Sequence, residues 1–190
     1  MVISDIKISQ MDNTSIINSS SLHLLNDRWC LWTYVPKINI EWNVSLCNKI
    51  CTFTNIEECI AIIERLSDEI IKNCMMFIMK EGILPAWEHA SNRNGGYFSY
   101  KVLNKNVCQV WRELTYTLIG NNLSTNNEFL RDVCGITISP KKNFCIIKVW
   151  MSNCNHQNYK TMTLVKDLDG YGCSFAPHNK HASFKIEDEC

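Results

Sequence analysis

Apolar residues recur along the chain in two different periods, and each period predicts its own kind of element. From residue 106 to 119 every third or fourth position is apolar, which predicts a helix that ends at Gly120. A second stripe begins at Ile56, behind a helix cap at Thr54 or Asn55, and predicts another helix. The two apolar stripes are Val107, Val110, Trp111, Leu114 and Leu118, and Ile56, Ile60, Ile63 and Leu66.

Short runs rich in β-branched and aromatic residues surround these helices and predict strands. The run at 28–34 ends before Pro36, because proline cannot donate to a strand ladder. The runs at 133–139 and 144–151 flank a turn at 140–143 and predict a hairpin. Further strands are predicted at 43–46, 74–80 and 97–102, and beyond residue 152 a helix at 157–168 and short strands at 171–175 and 182–186.

The order of these elements predicts an α+β fold. Strands predominate and a few helices intervene, which favours an antiparallel sheet with helices on one face over a parallel, doubly wound sheet. Residues 1–21 carry no sustained periodicity and are predicted to form a flexible N-terminal tail. The remainder, 22–190, is predicted to be one domain, as expected for a chain of 190 residues.

The charge balance narrows the class of ligand. Lysine plus arginine and aspartate plus glutamate both number 19, so the formal net charge is 0. An overall basic excess, typical of non-specific nucleic-acid binders, is therefore absent, and any phosphate must be held locally. No apolar run approaches the roughly 20 residues that a membrane helix needs, so no membrane association is expected.

Eleven cysteines raise the question of disulfides or a metal. The count is odd and the first thirty residues lack a secretory leader, so we expect a reducing, cytoplasmic location. No Cys-x-x-Cys pair occurs, and the nearest pair, Cys47 and Cys51, straddles a predicted strand end, which disfavours a zinc site. His178 and His181, with Cys173 nearby, are better interpreted as solvated surface histidines. We expect no metal and no cofactor.

Sequence motifs of the common enzyme classes are missing from the chain. There is no Gly-x-Gly-x-x-Gly loop, no phosphate loop, no His-Glu-x-x-His and no Gly-x-Ser-x-Gly elbow. A nucleotide-processing enzyme such as a decapping hydrolase remains an alternative, but it normally needs a carboxylate-rich metal site. The sequence therefore favours a binding protein without catalytic residues.

Six tryptophans are the most unusual feature of the composition. Trp29, Trp32 and Trp111 lie inside apolar patterns and are predicted to pack in the core. Trp42 and Trp87 each lie at a loop edge beside a glutamate, where a ring is presented rather than buried. Two presented rings can clamp a flat cationic ligand, and a desolvated cation–π contact is worth about 2 kcal/mol.

Five motifs in order along residues 23–154 resemble the messenger-RNA cap-binding initiation factor 4E family. They are DRWCLW at 27–32, PAWE at 85–88 followed by Gly95 and Gly96, VW at 110–111 leading to LIG at 118–120, DVCG at 132–135 and VW at 149–150. The resemblance implies a curved antiparallel sheet of about eight strands with about three helices on its convex face. The slot for the cap lies on the concave face of that sheet.

The resemblance also implies how the cap is bound. Trp42 and Trp87 sandwich the 7-methylguanine, whose positive charge adds a cation–π contribution to stacking. Glu88 accepts hydrogen bonds from the guanine N1–H and amino group, an arrangement of donors that adenine lacks. Trp150 corresponds to a tryptophan that contacts the methyl group. Capped mRNA is thus the expected ligand.

The triphosphate site departs from the family pattern. Tyr97 stands where the family has an arginine, and Ile146 stands at another basic position. Lys141 keeps the charge of a second arginine but loses its planar fork. Lys148 lies on the same strand face as Trp150, and Lys142 lies in the adjacent turn, so both are candidate substitutes. Tyr97 is expected to stack or to donate a hydrogen bond to phosphate.

The partner surface on the helices departs further. Ile60 stands where the family exposes a tryptophan to a Tyr-x-x-x-x-Leu helix of the scaffold factor 4G. The predicted surface comprises Ile56, Ile60, Trp111, Glu113 and Tyr116. Loss of a tryptophan hot spot predicts either weaker binding of ordinary 4G-type scaffolds or a dedicated partner. The leading hypothesis is recruitment of capped mRNA for translation initiation by a protein that is monomeric outside the complex. The alternative is a cap-binding repressor or decoy.

Overall fold

The computed structural model describes residues 22–35, 43–163, 165–168 and 172–179. The predicted tail at 1–21 and the predicted strand at 182–186 lie outside these ranges. Seven strands and four α-helices are described. They are β1 (Leu24–Tyr34), β2 (Cys47–Asn55), α1 (Ile56–Arg65), α2 (Asp68–Asn73), β3 (Met75–Lys80), β4 (Gly96–Leu103), α3 (Val107–Ile119), α4 (Asn127–Asp132), β5 (Val133–Pro140), β6 (Phe144–Met151) and β7 (Ser174–Pro177).

The strands form one antiparallel sheet in the order β2-β1-β3-β5-β6-β4-β7. Side chains alternate between the two faces of each strand. One face packs against all four helices and forms the main core, so we call it the helical face. The other, the open face, carries a smaller cluster of Cys47, Phe77, Met79, Cys134 and Trp150. The predicted α+β sheet with helices on one face is confirmed.

Helix α1 begins where the sequence places a cap. The side chain of Asn55 accepts a hydrogen bond from the backbone N–H of Glu58 at 2.8 Å. Glu58 in turn accepts one from the N–H of Thr54 at 2.9 Å, so the two side chains satisfy donors at the helix start reciprocally. This arrangement fixes the direction in which the helix leaves β2.

Some predicted elements are wrong. Residues 43–46 do not form a strand, because the Asn43 side chain accepts from the N–H of Ser45 and closes a 3-10 turn at Val44–Leu46. The strand after it begins at Cys47. In the described part of the predicted helix at 157–168, the structure has only a 3-10 turn, at Tyr159–Thr161. Helices α2 and α4 were not predicted, because six residues are too few to show a period.

The other predicted elements agree with the structure within a few residues. The strands predicted at 28–34, 74–80, 97–102, 133–139 and 144–151 correspond to β1, β3, β4, β5 and β6. The strand predicted at 171–175 lies at Ser174–Pro177 instead. Within the described ranges, no helix is both long and apolar enough to cross a membrane.

Candidate functional site

A cavity of about 300 Å³ opens on the open face of the sheet, and most of its wall is aromatic. Strands β3, β4 and β6, the loop between β3 and β4, and the end of β7 each contribute to it. Its lining residues are Met75, Phe77, Trp87, Tyr97, Lys148, Trp150 and His178. We call it the aromatic cavity. It brings together four of the residues predicted for cap binding, Trp87, Tyr97, Lys148 and Trp150.

Trp150 forms the floor of the aromatic cavity and is held rigidly. Its indole N–H donates to the hydroxyl of Thr137 on β5 at 2.7 Å. The edge of Phe77 packs against it, with ring centroids 6.4 Å apart. Gly135 pairs with Trp150 in the sheet, and a Cβ atom there would meet the Ile78 carbonyl oxygen at 2.3 Å. Thr137 and Phe77 therefore hold the ring in place, and 7% of the residue is exposed.

Trp87 stands at the rim of the cavity, and 43% of its surface is exposed. Its loop is held from inside by Asn92, which is fully buried. The side-chain amide of Asn92 donates to the carbonyl oxygens of Leu84 at 3.0 Å and Ala86 at 2.8 Å. One amide thus clamps the segment directly before the tryptophan. The prediction that Trp87 is presented rather than buried is confirmed.

Gly95 and Gly96 allow three chain segments to pass unusually close together. A Cβ atom on Gly95 would lie 1.8 Å from the carbonyl oxygen of Met151, and one on Gly96 would lie 2.5 Å from that of Ala176. The carbonyl of Gly95 accepts a hydrogen bond from the backbone N–H of His178 at 2.9 Å. The glycine pair therefore lets the end of β7 close one wall of the cavity.

Three lining residues were not predicted for the site, Met75, Phe77 and His178, and His178 changes its chemistry most. Its ring lies 4.5 Å from that of Trp150 and 5.4 Å from that of Tyr97, so the prediction of a solvated surface histidine is wrong. Burial and the nearby charge of Lys148 lower its pKa to about 4, which keeps the ring neutral at pH 7. Within the described residues its buried Nε2 has no hydrogen-bond partner. Only the pairing of β7 with β4 brings this residue here, and the local sequence carries no sign of that pairing.

Lys148 supplies the positive charge of the cavity. Its Nζ lies 3.9 Å from the centre of the Tyr97 ring, a cation–π contact that holds the ammonium group over the wall. Burial, together with the charge of Lys141, lowers the pKa of Lys148. Lys141 and Lys142 are exposed in the turn between β5 and β6. The positive charge therefore continues from the cavity toward this turn.

Comparison with known proteins decides the family. The family model described as eukaryotic initiation factor 4E matches residues 24–188, which is most of the chain. The chain belongs to the eukaryotic initiation factor 4E family. Among its relatives are eukaryotic translation initiation factors 4E-2 and 4E-1 of Schizosaccharomyces pombe, 28% and 30% identical over 78% and 74% of this chain. Eukaryotic translation initiation factor 4E of Homo sapiens is 27% identical over 73% of it. The chain spans 63%, 66% and 65% of the lengths of these three relatives.

Solved structures share the fold. The schistosome eIF4E complexed with m7GpppG and 4E-BP superposes with a TM-score of 0.71 at 23% identity, covering 90% of this chain and 96% of that one. The Caenorhabditis elegans eIF4E-3 complexed with the binding protein Mextli and a cap analog gives a TM-score of 0.71 at 18% identity, with 86% and 96% covered. The described part of this family member therefore has the eIF4E fold, with seven strands where about eight were expected.

The structure describes one of the two remaining residues of the predicted guanine site, and it does not line the aromatic cavity. Glu88 is exposed and lines a separate depression of about 420 Å³ beside Asn43 and Val44. Trp42 lies outside the described residues, directly before Asn43 in the chain. In this 4E family member Trp87 thus lines the aromatic cavity, while its chain neighbours Ala86 and Glu88 line the second depression.

The predicted partner surface needs one correction. Trp111 is fully buried under the sheet, because its helix turns the whole stripe containing Val110 and Leu114 inward. It therefore presents no surface to a partner. Ile60 does, since 45% of it is exposed on α1. Ile56 is half-buried at the start of the same helix.

The two polar residues of that surface, Glu113 and Tyr116, each form a hydrogen bond with another residue of the helices. The Tyr116 hydroxyl donates to the Glu64 carboxylate, and burial followed by this bond raises the pKa of Tyr116. Glu113 accepts from the Gln109 amide at 2.8 Å. These contacts link α1 with α3 and hold α3 internally. Ile60 is thus an apolar residue on a face whose polar neighbours are already partnered.

None of the ten cysteines in the described ranges forms a disulfide. Burial raises the pKa of Cys51 to about 11 and that of Cys134 to about 12, so these thiols stay protonated at neutral pH. Across the described ranges, no group of three or more histidine, cysteine, aspartate or glutamate residues is arranged to hold a metal. The described cysteines therefore serve as small apolar residues of the fold.

Proposed function

We propose that this protein binds the 7-methylguanosine 5′ cap of mRNA and recruits capped mRNA for translation initiation. Its membership of the initiation factor 4E family supports this, as do the similar schistosome and nematode structures that hold m7GpppG and a cap analog. Binding changes no covalent bond, so the proposal includes no catalytic residue and no metal. The proposed location is the cytoplasm, where capped mRNA is translated.

The observation that carries the proposal is an exposed tryptophan beside a charged aromatic cavity. A ring with 43% of its surface exposed is large apolar area left without a partner. Stacking of a base on such a ring is worth about 1–3 kcal/mol. Methylation at N7 makes guanine cationic, and the cation–π contribution adds up to about 2 kcal/mol for the methylated base alone. Trp87 therefore favours a methylated guanine over an unmethylated one.

The aromatic cavity suits the methyl group of that base. Trp150 supplies an apolar floor, and its only polar atom is occupied by Thr137. His178 is neutral at pH 7, because burial and Lys148 lower its pKa to about 4. The neutral His178 ring therefore adds no repulsion toward a cationic base, whereas an imidazolium at this position would add to the positive charge of Lys148.

Trp42 and Glu88 complete the proposed guanine site. Trp42 is proposed to cover the second face of the base, which the two tryptophans then sandwich. Glu88 is exposed on the loop that presents Trp87, and it is proposed to accept from the guanine N1–H and amino group. Its depression beside Asn43 places this carboxylate close to the segment that follows Trp42.

The triphosphate is proposed to contact Lys148 first. This ammonium group lines the same cavity as Trp150 and is held over the Tyr97 ring, which takes the role of a platform rather than of a phosphate ligand. Lys141 and Lys142 follow in the neighbouring turn and are proposed to contact the outer phosphates. Because lysines offer single charges instead of planar forks, this site holds phosphate by charge more than by geometry.

A scaffold or repressor helix is proposed to dock around Ile60 on the helical side. The schistosome and nematode neighbours were solved with 4E-BP and Mextli bound, which supports a protein partner for this family member. Exposed Ile60, half-buried Ile56, Glu113 and Tyr116 are the proposed contact residues. Pull-down with a Tyr-x-x-x-x-Leu peptide tests this part, and capture that is lost in Ile60→Asp supports it. Absence of capture, together with intact cap binding, favours the decoy alternative.

Tryptophan fluorescence tests the central proposal, because the rings of the site are themselves the reporters. We expect 7-methyl-GTP to quench the protein and to bind about tenfold or more tightly than GTP. Trp87→Ala should weaken binding by about one to two orders of magnitude, with Trp87→Phe in between. Leu103→Ala, which trims another exposed apolar residue at the far end of β4, should bind like the unchanged protein. Equal, weak responses to 7-methyl-GTP and GTP would contradict cap recognition.

A further inference from the structure

Positive charge is concentrated on one part of a chain whose net charge is zero. Strand β4 and the segment from β5 to β6 contain four lysines and no aspartate or glutamate. These lysines are Lys101, Lys141, Lys142 and Lys148. No acidic residue occurs anywhere from residue 133 to 166. The neutral average of the sequence therefore hides a basic region in the middle of the sheet.

The strand register places this charge in a row on the open face. Lys148 pairs with Ser99, and Lys101 pairs with Ile146, two residues farther along the same face of β6. At about 3.3 Å per residue, Lys101 therefore lies about 7 Å farther along the strands than Lys148, in the direction that leads away from Trp150. The turn that carries Lys141 and Lys142 lies farther in the same direction, directly before the first residue of β6. We call these four residues the lysine track.

The track keeps its charges available. Among the described residues Lys49, Lys72 and Lys80 form ion pairs, whereas the four lysines of the track form none. Two of them lie over aromatic rings instead. Lys148 lies 3.9 Å from the Tyr97 ring centre and Lys101 lies 4.5 Å from that of Phe144. A ring orients an ammonium group without neutralising it, so the charge remains free to meet an anion.

We propose that the lysine track extends the triphosphate site, with Lys101 binding the phosphate backbone of the nucleotides that follow the cap as the RNA leaves the aromatic cavity toward the β5–β6 turn. The inference rests on the proposed cap binding, because the cap fixes where the RNA begins. The track starts inside the cavity and runs outward, so its charges are ordered along the path that the RNA must take. Backbone contact of this kind is independent of RNA sequence.

Lys101 is the residue that separates this proposal from cap binding itself. It does not line the aromatic cavity, and the ring beneath it belongs to Phe144 near the turn. The experiment compares 7-methyl-GTP with a 7-methylguanosine-capped tetranucleotide on the full chain, by fluorescence titration at several salt concentrations. We expect the capped RNA to bind several-fold more tightly than 7-methyl-GTP, with a steeper loss of affinity in salt.

In Lys101→Gln the advantage of the capped RNA should shrink by several-fold, and its logarithmic salt slope should fall by about 0.7. Affinity for 7-methyl-GTP should stay unchanged, and Lys101→Arg should restore the RNA advantage. Lys160→Gln removes an exposed lysine of the Tyr159–Thr161 turn, which adjoins the helical-face core, and should change neither value.

Three results overturn the inference. Equal affinity of the unchanged protein for 7-methyl-GTP and capped RNA removes any role for the track. An equal loss for both ligands in Lys101→Gln assigns this lysine to the triphosphate site instead. Stronger competition by a polyglutamate peptide than by an uncapped RNA of equal charge assigns the track to an acidic protein. Failure of 7-methyl-GTP to bind at all is a separate outcome, which refutes the proposed function and this inference with it.

Discussion

The two faces of the sheet treat charge in opposite ways. On the open face, Lys101 and Lys148 lie over aromatic rings and form no ion pair within the described residues. On the helical side, Arg112 lies 3.2 Å from Asp68 and 3.7 Å from Glu64, and it also donates to the Leu66 carbonyl. The guanidinium there joins α3 to α1 and to the start of α2. One face is thus built to meet an external anion, and the other uses its charges to hold helices together.

The faces also differ in how much of the fold depends on them. The core under the helices contains large side chains from every helix and from alternate positions of the strands. The open-face cluster is small and centres on Phe77 and Trp150. Substitutions on the helical face should therefore act mainly on stability, and substitutions on the open face mainly on ligand affinity. The predictions below test this division, from the largest expected effect to the smallest.

Trp111→Ala should break the helical core. Its ring is fully buried, so removal leaves a large cavity, and the free energy of unfolding should fall by about 3–5 kcal/mol. Urea denaturation measures this loss. Ile60→Ala, on the exposed side of α1, should cost less than about 1 kcal/mol. Similar losses for the two variants would contradict the burial of Trp111 and restore it to the partner surface.

Asn92→Ala should lower both stability and ligand affinity, because this buried residue holds the loop that carries Trp87. Two carbonyl oxygens lose their donor, at a cost of about 1–3 kcal/mol in unfolding free energy. The loop should also loosen, and affinity for 7-methyl-GTP should fall by about tenfold. Asn94→Ala, an exposed change in the same turn, should leave both unchanged. Full affinity in Asn92→Ala would show that Trp87 does not need this clamp.

His178→Gln should change how stability depends on pH. In the unfolded chain the imidazole titrates near 6.5, whereas in the folded protein its pKa is about 4. Between these values the unfolded state binds more protons, so stability falls as the pH drops through this window. His178→Gln should therefore lose about 1–2 kcal/mol less unfolding free energy over this window than the unchanged protein. This figure is smaller than the full pKa shift implies, because the ring is partly exposed to solvent. Urea titrations of the two proteins at pH 7 and 4.5 measure this difference.

Tyr97→Leu should give the smallest effect and the most selective one. It removes the platform under Lys148, so affinity for 7-methyl-GTP should fall by about two- to fivefold. Affinity for 7-methylguanosine, which has no phosphate, should not change. Isothermal titration with both ligands measures the difference. An equal loss for both would mean that Tyr97 contacts the base rather than orienting the lysine.

The alternation of side chains along strands and the apolar period of helices could be predicted from the sequence, because both depend on neighbouring residues. Alternation in β6 placed Lys148 and Trp150 on one face, and both line the cavity. The period of α3 showed that Trp111 shares a stripe with Val110 and Leu114, yet the resemblance assigned it to the surface. The structure supports the stripe.

What depends on distant parts of the chain was not accessible from the sequence. His178 reaches Trp150 only because β7 pairs with β4 across nearly eighty residues, and that pairing depends on the close approach at Gly96. The role of Asn92 could not be predicted, because its amide donates to two backbone carbonyls, and every residue has such a carbonyl whatever its side chain. The short helices α2 and α4 have clear caps at Ser67 and Asn126 but too little length for a pattern.

The four residues of β7 also determine when the cavity can form during synthesis of the protein on the ribosome. The cavity wall is assembled from residues as far apart as Met75 and His178, so a ribosome must synthesise more than a hundred residues between its first and last parts. Until His178 has left the exit tunnel, Trp150 lacks the ring that packs against it, and until Pro177 has left it Gly96 lacks its partner in β7. A nascent chain therefore cannot hold the closed cavity, and the site matures only when β7 is added to the edge of the sheet.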